Sequence, residues 1–168
     1  MKHLTVAAAI LALSSAVAAP ALAQEEALVT FRAMKPELAV KLAQAAMAAC
    51  RKEGAQVAVA VVDRSGVVQA LVRDRFAGPH TPEAARRKAW TAVSFRNDTL
   101  GLAAFTKPGS EAYGANFIGD ALMLGGGVPV EAKGAIIGAV GVSGAPGGAM
   151  DDKCGRAGIE AVADDLAF

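Results

Sequence analysis

His80 is the residue in the body of this chain whose type is best suited to chemistry. A neutral imidazole ligates transition metals and exchanges a proton near neutral pH. His80 ends the turn-rich stretch Phe76-Ala77-Gly78-Pro79-His80, just before Thr81-Pro82-Glu83 opens a helix. Thr81 is expected at the N-cap and Pro82 at the first helical position. A residue between a turn and a helix start has few core neighbours, so its ring should be accessible. The alternative is a structural histidine that helps cap the Thr81 helix or makes an interface hydrogen bond.

Arg73, Arg75, Arg86, Arg87 and Lys88 flank this position. Guanidinium groups grip carboxylates bidentately, so Arg73 and Arg86 are the candidates for holding the acid groups of a ligand. The plainer reading is a solvated helix face with ion pairs to Asp74 and Glu83. The turn from Ser143 to Gly148 could present backbone N–H groups to an anion. It lacks the Lys-Ser/Thr of a P-loop, and Asp151 and Asp152 would repel an anion there, so a structural glycine turn is expected. Met34, Met47, Met123 and Met150 carry soft thioethers, but methionine is mostly core filler. No H-E-x-x-H, nucleophile elbow or carboxylate cluster gives a nucleophile–base pair or a metal site.

The elements that position these residues begin after a targeting segment. Lys2 and His3 precede an apolar run from Leu4 to Ala19, then Pro20 and the small-residue site Ala21-Leu22-Ala23. That is the pattern of a cleaved signal peptide, too short for a membrane span, and it predicts a mature chain starting at Gln24. The chain has 17 basic and 16 acidic residues, so loss of Lys2 leaves it formally neutral. A neutral chain with interspersed charge implies neither nucleic acid nor an anionic membrane as partner. Its body is rich in Ala, Val and Gly and poor in aromatics, which predicts tight helix-on-sheet packing or apolar surface buried in a homo-oligomer.

Helical spacing of Leu38, Leu42, Ala45, Ala46 and Ala49 predicts a helix over 35–52. Val57–Val62 and Val67–Val72, joined by Asp63-Arg64-Ser65-Gly66, predict a β-hairpin whose first strand is apolar on both faces. A second helix is expected to reach about Phe95, and a short one to span Thr99–Phe105. Residues 107–119 read as a long loop. A strand from Ala121 bent at Gly125-Gly126-Gly127, a turn at residues 131–134 and a strand over 135–144 follow. A final helix is expected from Met150 to about Leu166. Strands joined by tight turns pair antiparallel, so the class is α+β, an antiparallel sheet of about five strands flanked by helices. A segment of residues 24–34 precedes this single domain of residues 35–168.

Four stretches in order resemble the GlcG/HbpS family, related to the C-terminal domain of the PduO proteins. They are LAVKLAQAAMAACRKEG, VAVAVVDRSGVVQALVRD, GPHTPEAARRKAWTAVSF and LGGGVPVEAKGAIIGAVGVSGAPGGAMDDKCGRAGIEAV. The resemblance implies a profilin-like or PAS-like sheet, compact oligomers and heme as a ligand. On that expectation His80 becomes the heme-iron ligand, because it is the only imidazole left after cleavage. Arg73 and Arg86 would then neutralise the propionates. No Cys-x-x-Cys-His occurs, so any heme is held non-covalently.

An exported heme-binding or heme-handling protein, periplasmic or secreted, is the leading expectation. The alternatives are a periplasmic small-carboxylate binding module, or an accessory to a dehydrogenase with no heme role. Cys50 lies late in the first helix and Cys154 early in the last. In an oxidising compartment two cysteines are more often paired than free, and antiparallel terminal helices on one sheet face would bring these together. Two buried free thiols are the alternative.

Overall fold

In the computed structural model residues 27–167 are described, so the targeting segment, Ala23 and Gln24 lie outside the described residues. The chain divides after Thr30; of the first part, residues 27–30 are exposed and irregular. The second part runs α1 (Pro36–Lys52), β1 (Ala58–Asp63), β2 (Val68–Arg73), α2 (Thr81–Phe95) and α3 (Thr99–Phe105). A 3-10 helix (Glu111–Phe117), β3 (Gly127–Ala132), β4 (Ala135–Ser143), α4 (Gly148–Glu160) and α5 (Ala163–Leu166) complete it.

The four strands form one antiparallel sheet in the order β2-β1-β4-β3. The α+β class holds, with four strands in place of about five. Residues 121–124 are not a strand because their backbone groups are used elsewhere. Leu122 N–H donates to the Thr91 hydroxyl at 2.8 Å, and the Arg87 guanidinium donates to the Ala121 carbonyl. A ladder would need those same groups free. Three smaller differences concern where elements begin and end. The 107–119 loop winds into the 3-10 helix, the last helix breaks at Ala161-Val162, and α2 begins at Thr81 with His80 in the cap position.

Alternation along β1 sorts the core into two layers. Val57, Val59 and Val61 face α1 and α4, where Leu42, Ala46, Met47, Val140, Val142 and Val162 are also buried. Ala58, Ala60 and Val62 face α2, against Ala85, Ala89 and Ala92. The α2 layer is thin because its residues are small. At Gly141 of β4 a Cβ would stand 2.0 Å from the Ala85 carbonyl oxygen, so only glycine lets the helix backbone rest on the strand. The β3–β4 turn turns on Lys133 (φ 48°) and Gly134 (φ 74°), the left-handed pair that a two-residue hairpin requires. On the other face, Cys50 of α1 and Cys154 of α4 are joined in a disulfide with Cα atoms 5.3 Å apart.

Candidate functional site

The loop that carries His80 is tied down at both ends. At its start Asp74 is buried, and its carboxylate accepts from Arg51 of α1 at 2.8 Å and from Val57 N–H at 3.3 Å. The Asp74 backbone N–H donates to the Val57 carbonyl at 2.9 Å. Asp74 therefore pairs with Arg51 across the molecule, rather than with the arginines beside it in sequence. That hydrogen-bonded carboxylate holds the Arg51 guanidinium above its ordinary pKa. Gln56 adds a strut, accepting from Phe76 N–H at 3.1 Å. At the far end Thr81 closes the turn, its hydroxyl donating to the Gly78 carbonyl at 2.7 Å.

Between these anchors His80 is exposed, and its side chain does not cap α2. Among the described residues neither ring nitrogen has a hydrogen-bond partner. The ring lies over Gly78, where a Cβ would come within 2.7 Å of its Cε1. A pinned loop thus presents an imidazole with both nitrogens open, the donor chemistry that a heme iron takes.

The two candidate arginines differ. Arg73, at the end of β2, is exposed, with one long contact of 3.4 Å to the Arg75 carbonyl. Arg86 is half-buried and committed, to Glu83 at 2.8 Å and to Asp120 at 2.6 Å. Those two hydrogen bonds raise its pKa further above the ordinary guanidinium value, and the same contact pulls Glu83 down. The Arg73 guanidinium has no carboxylate partner among the described residues, whereas Arg86 already holds two.

Lys88 departs most from the sequence reading, because it is not on a solvated face. It is 1% exposed and donates to Asp151 at 2.7 Å and to the Val142 carbonyl at 2.9 Å. The other Asp151 oxygen accepts from Ala145 N–H at 3.0 Å, which closes the glycine turn before α4. Burial pulls the Lys88 ammonium down and pushes the Asp151 carboxyl up, and each opposes the shift of the other. The pair ties α2, β4 and α4 together. Its signal was readable: Lys88 shares the buried stripe of α2 with Ala85, Ala89 and Ala92. Asp152, beside it, pairs with Arg156 at 2.7 Å.

Recesses of about 620, 500 and 410 Å³ lie elsewhere, with none of His80, Arg73 or Arg86 in their walls. Among the described residues no group of three or more His, Cys, Asp or Glu could hold a metal ion. No helix among them is long and apolar enough to cross a membrane.

Comparison with known proteins agrees with this architecture. A crystal structure of an HbpS double mutant from Streptomyces reticuli superposes with a TM-score of 0.75 at 41% identity, covering 86% of this chain and 97% of that one. A crystal structure of a PduOC:heme complex gives 0.72 at 29% identity, covering 77% and 95%. A 15.0 kDa protein encoded between dhaT and dhaS in Citrobacter freundii is 33% identical over 72% of this chain and 83% of its own length. The family described as haem degrading protein, HbpS-like, matches residues 34–160, and the chain belongs to that family.

Proposed function

We propose that this chain is an exported protein that binds heme non-covalently, with His80 as an iron ligand. The observation that carries the reading is the exposed His80 ring, with both nitrogens unpartnered, on a loop fixed by Asp74 and Thr81. The heme held by a similar protein, the PduOC:heme complex, supports the choice of ligand. Bound there, heme would supply a redox-active iron. Arg73, exposed at a strand end, would neutralise one propionate, whereas Arg86 would serve only after leaving Glu83 or Asp120.

An imidazole on an exposed loop covers one face of a porphyrin and leaves the other in water. In a homo-oligomer a second copy would cover that face. Exposed Phe76, Phe105 and Phe117 supply apolar surface for such contacts. The Ala21-Leu22-Ala23 site supports export, which would remove residues 1–23 and leave 24–34 as a leading segment before a domain of residues 35–168. The Cys50–Cys154 disulfide suits an oxidising compartment.

The test is the visible spectrum of the purified protein during a hemin titration. A saturable Soret band at one heme per site supports the reading, and a spectrum that sums free hemin and protein refutes it. The family description speaks of degradation, and the same cuvette followed in air with ascorbate reads that activity separately.

A further inference from the structure

The start of α1, the β3–β4 hairpin and α5 surround the recess of about 620 Å³. That volume lies within the roughly 300–1,000 Å³ of small-molecule clefts. Its floor is apolar. Met34, Ala132 and Ile137 are buried there as part of the main core, and Leu38 and Leu166 pack half-buried beside them. The Met34 side chain lies over Gly138 of β4, its methyl 3.3 Å from where a Cβ would stand.

The rim is charged. Arg32, Lys35 and Lys41 stand there with Glu37 and Asp165. Lys41 is neutralised by Asp165 at 2.6 Å. The Lys35 ammonium is exposed and has no partner among the described residues. Lys35 also occupies the N-cap of α1 without a side-chain cap, so the positive end of a helix of 17 residues stands at the same rim. An apolar floor with the Lys35 ammonium at its rim matches a ligand with an apolar body and one acid head.

We propose that this recess binds a small amphipathic carboxylate of the fatty-acid type. The chain lies on Met34, Leu38, Ile137 and Leu166, and the head sits at Lys35. The site shares no residue with the heme reading and stands or falls separately from it.

Calorimetric titration with decanoate tests it. Decanoate is expected to bind, and shortening the chain should weaken binding by about fourfold per methylene. Lys35→Glu should weaken decanoate about fivefold, because a rim cation becomes a like charge. Ala33→Trp, at an exposed position in the wall, should fill the recess and remove binding. Hemin at one equivalent should leave the decanoate isotherm unchanged. Absence of heat, isotherms of both variants that overlay the parent, or displacement by hemin would each overturn the proposal.

Discussion

The Lys88 ammonium and the Asp151 carboxylate meet at 2.7 Å with 1% and 4% of their side chains exposed, between α2 and the first turn of α4. An ion pair this deep stabilises little net of its desolvation, but leaving one member alone is costly. Lys88→Met is expected to destabilise the protein by about 3–5 kcal/mol, and adding Asp151→Leu should recover most of that loss. Urea unfolding of the two variants checks it, and equal losses would mean that the pair is not coupled.

The pH dependence of Lys88→Met follows with its sign. Burial raises the Asp151 carboxyl already, and removing its cation raises it further. A group with a raised folded value stabilises the fold fully below its unfolded value, and that contribution is lost as pH rises through the folded value. The deficit of the variant against the parent should be smaller at about pH 4 than at about pH 7.5. Melting temperatures at the two pH values decide; a deficit that grows on acidification contradicts the assignment.

The disulfide closes a sequence separation of 104 residues. A loop that long confines the unfolded chain strongly, by about 4.7 kcal/mol in the chain-entropy limit and typically about 2–4 kcal/mol. Replacing both Cys50 and Cys154 by Ser should lower unfolding stability by that typical amount while leaving the secondary structure unchanged. Thiol titration of denatured, unreduced protein should find no free thiol; two per chain would contradict the pairing.

The legible parts of the fold were those that local chemistry decides. The doubly apolar run from Val57 to Val62, the Asp63 turn whose carboxylate accepts from Ser65 and Val67 N–H, and the Pro36 helix all stand where their residues imply. The extra strand at residues 121–124 failed because its fate rests on Thr91 and Arg87, some thirty positions away. In the candidate site, the exposure of His80 was readable from its turn. The commitment of Arg86 to Asp120, and of Asp74 to Arg51, was not, since each partner comes from a different element. Lys88 lies on the buried face of α2 with Ala85, Ala89 and Ala92, not on a solvated face with its sequence neighbours Arg86 and Arg87.

Gly78→Ala probes how the His80 ring is set. The new methyl would stand 2.7 Å from the His80 Cε1, and a side chain yields more readily than backbone. The ring should swing away, at a stability cost of about 0.5 kcal/mol or less. The His80 imidazole resonances should move and hemin affinity should fall between those of the parent and of His80→Ala. Unmoved resonances would show that the ring does not rest on Gly78.

The most direct test of the central claim is a hemin titration of His80→Ala beside the parent, followed at the Soret band. His80 is exposed and its side chain makes no hydrogen bond among the described residues, so its loss should leave the fold intact. The account expects the variant to lose or blue-shift the band and to bind hemin at least about tenfold more weakly, the loss of one metal–ligand contact. Titrations that overlay would contradict it and make His80 a surface residue with no part in holding iron.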